Sequence, residues 1–170
     1  MLTHEANGQR YIWSVGRFSG GYAHNVIANR CDMDISFRFY DMEFAERVGK
    51  KVREICGAIA QKYGGSVKFN WDMSTGPVHN SPQIVKEFRK SAQSAGVTVV
   101  DLPSRLSSED FGWYLTKVSG LLFRFGTRNE KLGCLTAAHC GDFKIDENGM
   151  KSAIAAFLEY TLKIGCETNK

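Results

Sequence analysis

The chain has 170 residues, 43% hydrophobic and 24% charged, a globular balance that excludes a disordered or fibrous protein. Its net charge of +4 comes from scattered basic residues such as Lys50, Lys51, Arg53, Lys86, Arg89 and Lys90, at helix-face spacings. A nucleic-acid groove needs a concentrated stripe, so nucleic-acid binding is not expected.

No apolar run nears the roughly 20 residues that cross a bilayer, and the first ten residues are polar. Cys31, Cys56, Cys134, Cys140 and Cys166 are odd in number and irregular in spacing, with no CxxC pair. They suit neither a disulfide framework nor a zinc ribbon. The expectation is a soluble, cytoplasmic protein with no membrane partner.

Residues 10–18 are rich in aromatic and β-branched types and predict a strand that ends at Gly20-Gly21. Residues 31–39 alternate cleanly: Met33, Ile35, Phe37 and Phe39 point one way, Asp32, Asp34, Ser36 and Arg38 the other. Asp41 stands at an N-cap position. Phe44, Val48, Val52, Ile55, Ile59 and Tyr63 follow at helical spacing until Gly64-Gly65. Val67, Phe69, Trp71 and Met73 alternate again, a third expected strand. Strand, strand, helix, strand are the last four elements of a β-α-β-β-α-β ferredoxin-like unit.

Thr75-Gly76-Pro77 is a break and the expected domain boundary, dividing the chain into 1–76 and 77–170. Ser81-Pro82 opens a helix with the stripe Ile84, Val85, Phe88, Ala92 and Ala95, stopped by Gly96. Residues 97–100 and 121–125 predict strands covered on both faces. Residues 107–110 open a short helix through Leu115, and 127–142 form a long loop. Asp146 caps a last helix striped by Met150, Ile154, Phe157, Leu158 and Leu162. The alternation of helix and strand predicts part of a three-layer α/β sheet.

Four histidines, His4, His24, His79 and His139, are candidates for chemistry. His139 ends a long loop that follows a predicted strand, where sites of α/β sheets collect. Glu109-Asp110 reads as a paired acid, a metal site or a helix start favoured by the dipole. Arg38 is either one half of a surface ion pair with Asp34 or an anchor for an anion, since its fork matches a carboxylate.

Together these residues resemble one family. Gly20-Gly21-Tyr22-Ala23-His24-Asn25-Val26-Ile27 is similar to the G-G-x-x-x-N-V-I-P stretch of the dinuclear-zinc amidohydrolases, a family of aminoacylases, hippurate hydrolases, auxin-conjugate hydrolases and carboxypeptidase G. Arg38 falls where that family has its lid arginine. Pro77-Val78-His79-Asn80 resembles the return from lid to catalytic domain, and Ser108-Glu109-Asp110-Phe111 the S-E-D-F of the hippurate and auxin-conjugate branch. Residues 120–127 resemble P-G-x-x-F-x-x-G-T. His139, Phe143 and Asp146-Glu147 resemble H-x-x-x-F-x-x-D-E, whose histidine is a zinc ligand. The chain departs from these patterns at Ala28, Ser36 and Ser119.

The resemblance implies a fold class of α/β with an α+β lid: a partial ferredoxin-like lid and dimerisation domain, then the carboxyl-terminal part of a three-layer αβα zinc-peptidase-like domain. It implies hydrolysis of the amide of an N-acyl amino acid or small peptide, with two zinc ions per complete site, manganese or cobalt being possible, and a homodimer formed through the lid. Asn25, Arg38 and Glu109 would lie at the substrate, Asn25 and Arg38 gripping its carboxylate, and His139 on one metal. No catalytic residue is assigned. The family's other metal ligands and its catalytic glutamate are expected in an upstream half, so this chain is expected to be inactive alone. The competing readings are a non-catalytic dimerisation module derived from that family and a ferredoxin-like nucleic-acid binder.

Overall fold

The structure, a computed structural model, describes residues 3–6 and 8–167. It divides into two compact units: one runs to Val78 and takes in Ser104–Lys117, the other comprises His79–Pro103 and the chain from Val118. The main division falls beside the Thr75-Gly76-Pro77 break. The inclusion of Ser104–Lys117 in the first unit differs from a single cut at residue 76.

The first unit is built on an antiparallel meander, β1 (Thr3–Ala6), β2 (Gln9–Gly20) and β3 (Cys31–Arg38), in that spatial order. β1 was not anticipated; its residues His4 and Glu5 are exposed, so no apolar alternation announces it. The pairing of β2 with β3 runs from Ile12 opposite Arg38 to Gly20 opposite Cys31. A bulge between Val15 and Arg17 shifts the register. One extra residue, Gly16, thereby places Phe18 opposite Met33, on the face that Trp13 and Phe37 share. The other face is polar, and Arg17 bonds Asp34 across it at 2.7 Å.

Helix α1 (Met42–Lys62) starts where the sequence predicts. The Asp41 carboxylate accepts from the Phe44 N–H at 2.8 Å, and its second oxygen accepts from Gln9 Nε2 at 3.2 Å. The cap thus fastens helix to sheet. Phe44 meets the rings of Tyr11 and Phe37, and Phe37 also meets Trp13, Phe39 and Trp71. This aromatic cluster is the centre of the unit. Only the first turns of the α1 stripe are covered: Ile55, Ile59 and Tyr63 are 47%, 55% and 77% exposed.

The third expected strand forms no ladder. Residues 67–73 carry strand alternation, and Trp71 packs on Phe37 and against Gly49 of α1. Yet among the described residues their backbone receives one hydrogen bond, from Arg53 Nη1 to the Phe69 carbonyl at 3.5 Å. A ladder needs a neighbour about 4.8 Å away, and β3 pairs only with β2. The next residues are pinned instead to α3 (Phe111–Leu115): Trp113 Nε1 donates to the Ser74 carbonyl at 3.2 Å. Gly76 and Gly112, both buried, touch backbone to backbone, where a Cβ on Gly76 would meet the Gly112 carbonyl carbon at 3.2 Å. That contact explains why Ser104–Lys117 belongs with the first unit.

The second unit packs α2 (Pro82–Ser94) on α4 (Asn148–Glu167). Its core is Phe88, Ala92 and Ala156, with Val97, Val99, Leu121, Phe123 and Tyr160 against it. The Ser81 cap and the α2 stripe match expectation. Segments 97–100 and 121–125 do not behave as strands covered on both faces. Val97 and Val99 face the core while Val100 is 69% exposed, and no ladder joins the two segments among the described residues. The expected α4 stripe is also displaced. Ala156 is 3% exposed, whereas Ile154, Phe157, Leu158 and Leu162 are all more than half exposed. Small residues win the contact because Ser91 and Ala92 of α2, both 2% exposed, allow a close helix approach there.

Candidate functional site

Arg38 is the last residue of β3, and its surroundings distinguish between its two sequence readings. The nearest candidate partner, Asp34, is taken by Arg17. Arg38 has no carboxylate partner among the described residues. Its Nη1 donates to the Leu106 carbonyl at 3.1 Å, which holds the side chain against the Ser104–Lys117 segment. Its Nε is buried, and none of the described residues accepts from it. A buried donor without an acceptor costs about 1–3 kcal/mol, and a guanidinium in that state is suited to an anion.

The cleft beside Arg38 has a volume of about 270 Å³ and is lined by residues 35–39 and 72–77 with Ser107 and Ser108. Five of the lining residues, Ser36, Ser74, Thr75, Ser107 and Ser108, carry hydroxyls, each able to donate one hydrogen bond. The same lining includes Asp72, so the cleft combines one guanidinium fork, several hydroxyls and one acid.

Glu109 lies in the same unit, directly after the cleft-lining Ser108; its carbonyl accepts the Gly112 N–H at 3.2 Å at the start of α3. Asn25 lies elsewhere. It sits in the exposed connection between Gly20 and Cys31, the pair at the far end of the β2–β3 ladder. Cys31 and Arg38 are seven residues apart on β3, about 24 Å at ~3.4 Å per residue. No residue of that connection lines the cleft. Within one chain, then, the structure does not bring Asn25 to Arg38.

His139 belongs to the second unit, at an exposed turn. Its φ of 72° makes it the one non-glycine residue with positive φ among those described. Thr136 Oγ1 donates to Asp142 at 3.1 Å and the Phe143 N–H to the Cys140 carbonyl at 3.1 Å, closing the loop around it. Histidine tolerates this region better than most residues, and such conformations gather at functional positions. The loop is anchored at Asp146, whose carboxylate accepts from Asn129 Nδ2 at 2.6 Å and from the Asn148 N–H at 3.0 Å. These bonds, Asn129 first, hold its pKa below the usual carboxylate value.

Among the described residues no group of three or more His, Cys, Asp or Glu is placed to hold a metal ion. A catalytic zinc takes about three protein ligands. His139 alone does not complete such a site, and no reaction step is assigned to a metal here.

Sequence reasoning placed Asn80 in the Pro77-Val78-His79-Asn80 motif and gave it no role. Its side-chain amide donates to the Leu122 carbonyl at 2.9 Å and accepts from the Leu122 N–H at 2.8 Å, while the Ser81 N–H bonds the Gly120 carbonyl at 2.9 Å. The amide thus pairs residues 79–81 with residues 120–122 as a strand would. Its place directly before Ser81-Pro82 was the available signal.

Comparison with known proteins places this geometry. Residues 2–64 match the peptidase dimerisation domain of the M20 family. Thermostable carboxypeptidase 2 of Saccharolobus solfataricus is 31% identical over 157 residues, which cover 91% of this chain and 39% of that protein. Thermostable carboxypeptidase 1 of the same organism is 33% identical over 145 residues, 84% of this chain and 36% of that one. N-acetyldiaminopimelate deacetylase of Bacillus pumilus is 26% identical over 153 residues, 89% and 39% of the two chains. This chain therefore spans about two fifths of the length of the curated relatives it matches. The crystal structure of the Bacillus subtilis YXEP protein, a dinuclear metal binding peptidase from the M20 family, shares its fold with a TM-score of 0.78 and 24% identity, covering 91% of this chain and 42% of that one. The mixed fold class expected from the motifs stands, and residues 2–64 carry the M20 dimerisation domain in a chain that fits a part of the M20 carboxypeptidases and deacetylases it resembles.

Proposed function

We propose that this chain supplies the substrate-gripping lid and part of the catalytic domain of a metal-dependent amidohydrolase that acts on N-acyl amino acids or small peptides. The observation that carries this reading is Arg38: a guanidinium with a buried Nε that is unaccepted and no carboxylate partner among the described residues, in a cleft lined by five hydroxyl residues together with Asp72. Both substrate classes present a carboxylate beside the amide to be cut. A bidentate fork fixes such a group in one orientation, and orientation is the lid's contribution to rate. Carboxypeptidases and an acetyl-amino-acid deacetylase among the relatives support the class.

Asn25 would donate its amide to the same carboxylate. Since the two residues stand at opposite ends of the β2–β3 ladder, one site would take Arg38 from one chain and Asn25 from another. The dimerisation-domain match favours that arrangement, a homodimer through the lid. His139 would contribute one ligand to a metal centre completed by residues beyond those described, with zinc the first candidate and manganese or cobalt alternatives. Glu109 would stand near the substrate end without an assigned step. The cytoplasm is the proposed location.

The test is binding before catalysis. N-acetyl-alanine titrated into the purified chain should shift the Arg38 Nε–H signal and the backbone amides of Ser107 and Ser108 in nitrogen-edited NMR, and Arg38→Met should abolish the saturable shift of those two amides. The same chain with zinc, manganese or cobalt should show no amide hydrolysis. A substrate that leaves the Arg38 signal unmoved sinks the anchor assignment. Turnover that is lost on chelation sinks the expectation of inactivity. The second reading is a non-catalytic dimerisation module, supported by the dimerisation-domain match over residues 2–64; a stable metal-free dimer that binds no N-acyl amino acid would establish it.

A further inference from the structure

We infer that Asn129 is a positioning residue for His139, acting through the loop 127–146, a role that rests on the reading of His139 as a metal ligand. Residues 127–146 form neither a helix nor a named strand. Loops of such length are usually functional or disordered. This one is tied at its base and again at its tip.

At the base, every polar group of Asn129 is engaged. Its N–H donates to the Cys134 carbonyl at 3.2 Å, and its carbonyl accepts from the Cys134 N–H at 2.8 Å. Its Oδ1 accepts from the N–H groups of Lys131 and Leu132 at 3.0 and 3.3 Å. Its Nδ2 crosses to the other stem and donates to Asp146 Oδ2 at 2.6 Å. The Asp146 N–H completes the closure by donating to the Thr127 carbonyl at 2.9 Å. Just outside, the stems press together, since a Cβ on Gly149 would collide with the Gly126 carbonyl. Asn129 and Asp146 are half-buried and Cys134 is buried, so water competes less for these bonds than on an open surface.

The tip is held more lightly. Thr136 and Asp142 stand three residues before and three after His139, and a single bond of 3.1 Å joins them. His139, between them, has a φ of 72°. An L-residue free to choose leaves that region for negative φ, so the surrounding bonds hold His139 there. Backbone direction fixes where its Cα–Cβ bond starts, and with it where an imidazole can reach. Such groups work when their supports are rigid. Asn129 holds both points from which the tip departs, Cys134 on one stem and Asp146 on the other. The exposed Asp142 supplies only the last closure.

The experiment uses the whole chain, isotope-labelled for NMR at neutral pH. Positive φ brings a residue's amide and α protons close together, so His139 should give a strong nuclear Overhauser effect between them. Asn129→Asp keeps the acceptor for Lys131 and Leu132 but loses the donor to Asp146. It should weaken the His139 signal several-fold, to the level of Ala137 and Ala138, with the Ala92 and Ala156 methyl signals of the core unchanged. Asn129→Asp combined with Asp146→Asn exchanges donor and acceptor across the same bond and should restore the signal. Thr136→Val, which removes the tip bond alone, should weaken it less than Asn129→Asp. A full His139 signal in Asn129→Asp overturns the proposal, as does a folded double variant that restores nothing. A loss in Thr136→Val as large as in Asn129→Asp also overturns it, in favour of the tip bond. These measurements contain no metal. Equal cobalt(II) affinity of the chain and of His139→Ala would remove the ligand reading and leave the loop geometry standing.

Discussion

At the scale of single residues, the informative groups are those whose partners differ from the nearest ones in sequence. Asp34 is close to Arg38 along β3 yet bonds Arg17 on β2, because cross-strand neighbours lie nearer than residues four apart on one strand. That choice leaves Arg38 for another anion. Asp146 shows the opposite case, a carboxylate fully occupied by its own loop. Its pKa is lowered by folding, so the unfolded chain takes up this proton first as pH falls. The stabilisation is complete above the ordinary carboxylate value of about 3.9 and disappears as pH drops through the lower, folded value. Melting temperatures measured from neutral pH into acid should therefore fall below about pH 4, and Asn129→Ala, which removes the first cause of the shift, should flatten part of that slope. Identical slopes in the two proteins would show that the Asn129–Asp146 bond does not couple to folding. Arg38 was legible as a candidate from its place on a polar strand face. Its buried Nε was not, because that depends on Leu106, sixty-eight residues away.

At the scale of elements, local signals were read correctly wherever a local partner satisfied them. The Asp41 and Ser81 caps each bond a backbone N–H three residues on, and both helices stop at left-handed glycines, Gly64 and Gly96. The alternation of residues 67–73 and the apolar runs 97–100 and 121–125 did not become ladders among the described residues, since a strand is completed by its neighbour and not by its own pattern. The approach of Trp71 to α1 is a tight one. A Cβ at Gly49 would lie 2.7 Å from the Trp71 ring. Gly49→Ala should push the ring off Phe37, at a cost of about 1–3 kcal/mol for overpacking. Chymotrypsin should then cut after Phe69 or Trp71 several-fold faster than in the parent chain. Unchanged cleavage would mean that Trp71 is not held by this contact. Helix α4 makes the same point about amphipathic stripes. Its large apolar residues spell a buried face, yet its covered face is Ala156 and Tyr160.

At the scale of the whole molecule, exposed apolar surface is extensive. Phe18 and Met33 on the sheet, Ile59 and Tyr63 on α1, and Ile154 and Leu162 on α4 are each at least 46% exposed. Phe18 and Met33 are cross-strand neighbours, and contiguous apolar patches mark interfaces or aggregation. Light scattering at rising concentration should give a mass above the 19.0 kDa of one chain. A clean monomer throughout would count against the lid-mediated dimer.

By itself the sequence determined the caps of α1 and α2, the β2–β3 pair and the family resemblance, because each of these is written in contacts between near neighbours or in short motifs. The tertiary structure alone decided that Ser104–Lys117 joins the first unit, through the touch of Gly76 on Gly112. It alone decided that Asn80 acts as a strand's backbone, and that Arg38 lies in a cleft to which the Asn25 connection does not contribute. Those outcomes depend on which distant backbone comes within hydrogen-bonding reach, a distance that no local pattern encodes.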